Sequence, residues 1–449
     1  MDLLRKFLAE NSHIQFAASD SPDFADLCSA FIINATKKPS LIVRPRSAED
    51  ISGLVSILTT NDIPFTIRGG GHDMFGRSQV DGAVTIDMRE ICHVHVDSAS
   101  KTARVGGGII SMNLLKELEK HQMVTPHPVT PSVGYVGWAI HGGYGLLSTK
   151  YGLGVDQIVG ATVVDANGNI LEADERMLTV IRGGGGAVGV IVEVKTKIYP
   201  LDQVLAGAII YQPSELVTGF RDFNTNFQQA KRDGFPPELG IYRFIMNGPT
   251  GKAQIVLFLW ASSDISEGQK WLSTVSSWAP LGMSTVAPTT IAAFNEVTNS
   301  MVPKIAYGTI HAPIFRSLTP EVVDVIGKHA LLQPNNPEVL FGIHELRADA
   351  PMSSNGSIFN ARQAHVLIEI IPITGSLDTL YETMAWGQNF NDALLATDAA
   401  NRLSCSYIPL NPTRDLEFKG IYGSQYETLR EIKTELDPDN KFKHALVQL

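Results

Sequence analysis

Between Leu41 and His72 the hydrophobic pattern changes twice. An apolar run at Leu41–Val43 predicts a strand. Ile51, Leu54, Val55 and Leu58 then fall at helical spacing, and the apolar run of IPFTIRGGGH predicts a second strand ending in glycines. Ser47, with Asp50 three residues on, has the form of a helix N-cap with acids in the first turn. Before this unit, residues 1–36 read as two short helices separated by the turn SDSPDF. After Ala83 the segments AVTIDM, HVHVD and TARVGGG alternate with period two and predict short strands; a helix follows over Ser111–His121. IVGATVVDANGNILEA reads as a hairpin turning at Asp-Ala-Asn-Gly, and VGVIVEVKTKIYP closes the block near Pro200. Over residues 202–400 five apolar runs (AGAIIY, GIYRFIM, AQIVLFLW, VLFGIHEL, HVLIEII) alternate with helical stretches such as SELVTGFRDFNTNFQQA. That order predicts an antiparallel sheet with helices on one face. The tail carries a helix, YETLREIKTELDPDN, stopped by Pro438.

Composition narrows the class. At ~150 residues per domain, 449 residues point to two or three domains. With 44% hydrophobic and 18% charged residues, a large core is available and wholesale disorder is excluded. A formal charge of -10 argues against nucleic-acid binding, which needs a basic face. Cys28, Cys92 and Cys405 cannot make a disulfide framework, and no CxxC pair offers zinc ligation. The opening MDLLRKFLAENSHIQF is broken by Arg5, Lys6 and Glu10, unlike a signal peptide, and no stretch of roughly 18 apolar residues suits a membrane span. The expectation is a cytoplasmic protein without a membrane partner.

The glycines cluster in three runs: Arg68-Gly-Gly-Gly-His72, Gly134 to Gly145, and Arg182 to Gly189. Glycines at strand ends leave backbone N–H groups uncovered, and successive uncovered N–H groups hold anions. Three such runs in one half of a chain suggest a long anionic ligand such as a dinucleotide; each alone could equally be a tight turn. None fits GxGxxG opening a helix after a first strand, and GxxxxGK[ST] is absent.

The segments KPSLIVRPRSAEDI, IPFTIRGGGHD, GAVTIDM, VGYVGWAIHGGYGLLSTKYGLGVDQIVGATVVDANGNIL, IRGGGGAVGVIVEVKTKIYPL and the terminal LDPDNKF occur in an order that resembles the FAD-linked oxidases with the vanillyl-alcohol-oxidase/PCMH-type fold, specifically the berberine-bridge-enzyme-like branch. The resemblance spans about residues 38–201 and 405–445. It implies an α+β fold: a PCMH-type FAD-binding domain of two α+β subdomains (1–201, core 38–201), a substrate domain with an antiparallel sheet covered by helices (202–404), and a C-terminal segment (405–449) returning to the first domain. It implies FAD contacts at Arg68, Gly69, Gly70, Gly71, His72, Asp73, Gly76, Ser78, Thr130, Gly134, Gly137, Gly142, Tyr144, Gly145, Gly189 and Val190. It also implies a covalent bond from His72 to the flavin 8α-methyl. Relatives often carry a second bond, from a cysteine where this chain has Thr130; threonine cannot form it, so one histidyl link is expected. His141 stands within the family's glycine run, which either disturbs the backbone's approach to flavin or brings an imidazole to the active site.

A flavin accepts hydride at N5, and the protein must place a C–H bond and remove a proton from O–H or N–H. The family's Tyr-x-Asn near the C-terminal crossover corresponds to Tyr407-Ile408-Pro409, with Pro409 in place of Asn. Tyr407 is the first catalytic candidate and Glu369 the second. His365, Leu367, Glu369 and Ile371 share one strand face. A buried carboxylate there would have a raised pKa, suited to a general base; the alternative is a sheet carboxylate paired with Arg or Lys. His344 and Tyr242 are further candidates. His93 and His95 sit at i,i+2 with no third ligand nearby in sequence, so no metal is expected.

The expected activity is oxidation of a small organic, secondary-metabolite-like substrate, with hydride transfer to flavin and reoxidation by O2. An electron-passing dehydrogenase, a redox-neutral cyclase or isomerase retaining flavin, and a non-catalytic small-molecule binder are the alternatives. Oligomeric state is not legible.

Overall fold

The computed structural model describes the chain apart from residues 34–36, 249–250, 348, 354, 405–406, 413–415, 446 and 448–449. Cys405, and with it the first residue of the expected C-terminal segment, lies outside the described residues.

The first sheet runs in the order Gln15–Ala18, Leu41–Arg44, Val84–Asp87, Phe65–Arg68. Its last three strands are parallel, joined by the helix Ala48–Thr60. Ser47 caps that helix by accepting from the Asp50 amide, and Ile51, Leu54, Val55 and Leu58 bury its inner stripe against Leu41, Val43, Val84 and Ile86. Two expectations need correction here. The N-terminal stretch holds a strand, Gln15–Ala18, between its helices Asp2–Glu10 and Phe24–Cys28. Four residues carry too little pattern to announce it; pairing with Leu41–Arg44 makes it. Val84–Asp87, whose sequence alternates, is buried on both faces in this parallel sheet. Its polar member Asp87 is stabilised by ion pairs from Arg44, Arg68 and Arg89.

A second, antiparallel sheet follows in the order Val94–Asp97, Thr102–Gly106, Val190–Lys197, Ile158–Val164, Ile170–Glu172. The hairpin turn forms where Asp165 accepts from the Asn167 and Asn169 amides, each at 2.8 Å.

Among the described residues the third sheet has nine strands and contains all five expected runs, as Val204–Tyr211, Leu239–Gly248, Gly251–Trp260, Leu340–Leu346 and His365–Ile371. Alternate residues divide its faces. Ile245, Val256, Phe258, Phe341, Ile343 and Ile368 pack under helices Leu216–Asp233, Ile265–Ser276, Pro320–Leu331 and Leu380–Leu395. Tyr242, Phe244, Leu257 and Leu259 face the other way, toward Met112, Leu115, Leu146 and Leu147 of the glycine-rich half. The helices are therefore not all on one face: Ile291–Ser300 lies on this second side, in the same apolar cluster as helix Ser111–Glu119. The C-terminal helix Tyr426–Leu436 returns to the first half, where Lys433 donates to the Ala187 carbonyl at 2.8 Å and Phe442 meets Phe65 edge-on.

Candidate active site

A cavity of about 450 Å³ lies between the second face of the large sheet and the glycine-rich half. It has two unlike walls.

The first wall is mostly backbone. Gly69, Gly70, Gly71, His72, Asp73 and Ser78 line it after the strand Phe65–Arg68, joined by Thr130, Gly134, Gly137, Tyr144, Gly189 and Val190. The loops at Gly70 and Gly134 touch: a Cβ on Gly70 would stand 2.4 Å from the Gly134 nitrogen, and one on Gly134 2.6 Å from the Gly70 nitrogen. The amides of Gly69, Gly70 and Gly71 donate to no group among the described residues, while the Gly71 carbonyl accepts from Phe31. A run of three glycines with uncommitted amides, Gly69 to Gly71, fits a dinucleotide pyrophosphate.

Four expected contacts do not line the cavity. Arg68 is fully buried beneath the loop, bonded to Asp87 at 2.7 Å and to the Leu27 carbonyl. Gly76, Gly142 and Gly145 serve the loops instead. Gly76 turns with φ +68, a Cβ on Gly142 would strike the Phe359 ring, and one on Gly145 would meet the His127 carbonyl. The third glycine run also departs from the anion-nest reading. Residues 182–184 end the helix Glu175–Gly184, and Arg182 is buried against the Ile158 and Gly356 carbonyls. Gly183 and Gly184 pack on Phe359 and Ile358, leaving Gly186, Gly189 and Val190 at the cavity.

His72 lines the cavity with its ring stacked on Phe31 at 4.4 Å, and burial pushes its pKa down to about 4. His141 also lines it. Gly185, at φ +62, leaves room for that imidazole, since a Cβ there would lie 2.4 Å from Nε2. The His141 Nδ1 pairs with the Gly137 carbonyl at 3.0 Å, Nε2 bonds to nothing among the described residues, and burial lowers its pKa to about 4.

The second wall is made of side chains from the large sheet. Glu369 accepts from the Tyr242 hydroxyl at 3.0 Å and lies 3.2 Å from His344 Nε2. Register explains the meeting. Glu369 is paired with Gly342, and the Tyr242 hydroxyl occupies the space that a Cβ on Gly342 would take. Tyr407 also lines the cavity; burial, then the Glu369 charge, hold its hydroxyl well above the ordinary tyrosine pKa. The Tyr144 ring meets the Tyr407 ring edge-on at 5.5 Å, and its hydroxyl lies 2.8 Å from His365 Nε2. The four catalytic candidates, Tyr242, His344, Glu369 and Tyr407, thus line one cavity. The expected raised pKa of Glu369 is corrected: burial raises it, but the adjacent His344 charge and hydrogen bonds from His344 and Tyr242 outweigh this and lower it. Its partners are a histidine and a tyrosine, not Arg or Lys. Phe244, Met246, Leu257, Leu340, Leu367, Ile371 and Ile373 complete an apolar surround.

His93 is bound to Glu193 at 2.6 Å and stacks on His95, outside the cavity. Among the described residues no cluster suits a metal ion, and no helix is long and apolar enough to cross a membrane. The sequence alone did not single out Tyr144 as a neighbour of Tyr407, or Gly342 as the gap that admits Tyr242. Only strand register discloses either.

The chain is similar to known FAD-dependent proteins in sequence and in fold. Residues 39–174 match the FAD binding domain family and residues 414–446 the berberine and berberine-like family. The FAD-linked oxidoreductase aurO of Gibberella zeae is 30% identical over 428 residues, covering 94% of this chain and 83% of that protein. The (R)-6-hydroxynicotine oxidase of Paenarthrobacter nicotinovorans is 39% identical over 183 residues, 40% of each chain. In fold, the chain is similar to 6-hydroxy-D-nicotine oxidase from Arthrobacter nicotinovorans, with TM-score 0.86 and 22% identity over 96% of this chain and 97% of that one. It is likewise similar to berberine bridge enzyme from Eschscholzia californica, with TM-score 0.81 and 19% identity over 99% and 98%. With residues 39–174 matching the FAD binding domain, residues 414–446 the berberine and berberine-like family, and a relative matched along nearly the whole length, this chain belongs to the berberine-bridge-enzyme-like FAD-linked oxidoreductases.

Proposed function

We propose that the protein is an FAD-dependent oxidase of a small, largely apolar organic molecule bearing an O–H or N–H next to the C–H that is oxidised. The observation that carries this is the set Tyr242, His344 and Glu369 on one sheet face, with Tyr407 of the C-terminal segment lining the same cavity, opposite the glycine wall. FAD, when bound, supplies the hydride acceptor and passes the electrons to O2 as hydrogen peroxide. The amides of residues 69–71, with Thr130, Gly134, Gly137, Gly189 and Val190, would hold it. His72, neutral above pH 4, would carry it by a single covalent bond, and Thr130 would add none.

Glu369 is the base. It is ionised at neutral pH, and Tyr242 holds one of its oxygens in place while the other can face the substrate's O–H or N–H. Tyr407 stays protonated and donates a hydrogen bond that orients the substrate. The apolar residues exclude water and strengthen both contacts. That a relative's name gives 6-hydroxynicotine as substrate supports a ring-bearing molecule of this size.

The test is an anaerobic and aerobic comparison with a panel of apolar phenols and amines, beginning with (R)-6-hydroxynicotine. The substrate should bleach the flavin band under nitrogen, and oxygen should restore it with one peroxide per turnover. Product formed with neither bleaching nor oxygen uptake would establish redox-neutral chemistry instead. Precipitation with acid should give a yellow pellet from wild type and a colourless one from His72→Ala.

A further inference from the structure

The turn that carries Tyr407 belongs to no sheet. Tyr407 precedes the short 3-10 turn Ile408–Leu410, and its carbonyl accepts from the Leu410 amide at 3.2 Å and from Asn411 Nδ2 at 3.0 Å. The Asn411 amide closes the turn on the Ile408 carbonyl at 3.1 Å. Those bonds fix the shape of the turn but not its place in the molecule. A side chain from the glycine-rich half does that. Arg77 Nη1 donates to the Asn411 carbonyl and Nη2 to the Pro409 carbonyl, each at 2.8 Å. Asp73 takes the rest of the guanidinium: its Oδ1 accepts from Nε at 3.0 Å and from Nη2 at 2.6 Å. The other Asp73 oxygen accepts from the Arg77 backbone amide. The two side chains are only 13% and 15% exposed, and both residues line the large cavity.

We propose that Arg77, aimed by Asp73, is a positioning residue for Tyr407: it clamps the carbonyls of the turn to the loop that carries His72, and so fixes where the phenol stands in the cavity. The inference rests on the reading of Tyr407 as the group that orients the substrate. A guanidinium presents five N–H donors in one rigid plane, so a single side chain can face a carboxylate and two carbonyls at once. Its bonds are charge-assisted and so about twice as strong as neutral ones. Asp73 follows His72 directly in the chain. The clamp therefore joins the two ends of the site into one unit, although Arg77 and Asn411 stand 334 positions apart. The Tyr407 ring has contacts of its own, with the Tyr144 ring edge-on at 5.5 Å and with Gly142, where a Cβ would lie 3.4 Å from Tyr407 Cδ2. Those contacts are between rings and carbon atoms and set no hydrogen-bond direction. The clamp holds the backbone from which the ring projects.

Kinetics of paired variants test this on the FAD-loaded protein, with (R)-6-hydroxynicotine as substrate and flavin bleaching under nitrogen as the signal. Arg77→Met keeps the stem and removes every side-chain donor. Compared at equal flavin content, Arg77→Met and Tyr407→Phe should each lower the limiting rate at saturating substrate about tenfold. Combined, they should again cost about tenfold, because a misplaced phenol hydroxyl and an absent one are the same loss. A combined loss of about a hundredfold, or Arg77→Met at the wild-type rate, overturns the proposal. Hydrogen exchange gives a second signal that needs no turnover. In Arg77→Met the Leu410 and Asn411 amides should exchange about tenfold faster than in wild type, and those of the strand His365–Ile371 should not change. Unchanged exchange at Leu410 and Asn411 overturns the clamp, and so does an equal rise in both segments. Arg77→Lys keeps the charge beside Asp73 without the fork, and should behave as Arg77→Met does in both measurements. Tyr407→Phe at the wild-type rate, or a wild type that this probe does not bleach, counts against the reading of the site; the exchange result then decides the clamp alone.

Discussion

The two walls of the large cavity are built by opposite means. The glycine wall presents main-chain N–H groups and removes side chains, so that two loops meet at Gly70 and Gly134 with no room for a Cβ on either. The sheet wall presents side chains from distant segments, and Tyr242 reaches Glu369 only because position 342 is glycine. The first wall binds through groups every residue possesses, so its recognition depends on backbone path. The second binds through functional groups, so its chemistry depends on strand register. A change in the first should cost the cofactor; a change in the second should cost the reaction and leave the cofactor in place.

The largest expected effect lies beneath the glycine wall. Asp87 carries three arginines, and burial, which raises its pKa, is outweighed by Arg89 and Arg68, which bring it to about 2. Asp87→Ala should leave the fully buried Arg68 uncompensated and lower stability by about 3–5 kcal/mol in denaturant unfolding. Gly134→Ala forces the loop away from Gly70. It should lose most bound FAD, read from the ratio of flavin to protein absorbance, and about 1–3 kcal/mol of stability. Gly342→Ala makes the converse test. It should displace Tyr242, keep normal flavin content, and slow anaerobic flavin reduction about tenfold or more. If Gly342→Ala emptied the flavin site, or Gly134→Ala kept it full, the division between the walls would fail.

A smaller effect is expected from acid. His127 is buried beside Thr125 and Asn295, and burial pushes its pKa down to about 4 against the Thr125 carbonyl, which raises it. The folded value lies below the ordinary 6.5, so the neutral ring's contribution is complete above pH 6.5 and is lost as pH falls toward 4. The loss from His127 should reach up to about 3 kcal/mol at pH 4, and His127→Asn should make the stability profile shallower over that window, where His72 and His141 also titrate.

Much of the first wall was legible in the sequence because its determinants are local. The strand Phe65–Arg68 runs straight into the glycines, and Ser47 caps the intervening helix as its spacing implied. What the motif could not disclose was which of its residues face the cavity. Arg68 is conspicuous in sequence yet turns under the loop, because Asp87 on the neighbouring strand offers a charge that the cavity does not. The third glycine run misled for a similar reason: its glycines make room for Phe359 and His141, which come from elsewhere in the chain. On the second wall, alternation along HVLIEII correctly put Leu367, Glu369 and Ile371 on one face. The direction of the Glu369 pKa was missed because its sign is set by His344 on the adjacent strand and Tyr242 on the next, whose register no single strand reveals.

In the proposed reaction Glu369 on the sheet wall does the proton chemistry for a cofactor held by the glycine wall. The most direct test of that role is the rate of anaerobic flavin bleaching in Glu369→Gln, against wild type of equal flavin content. The predicted result is full flavin occupancy with bleaching slowed by roughly 10²–10⁴. Bleaching at the wild-type rate in the glutamine variant would show that Glu369 is not the base.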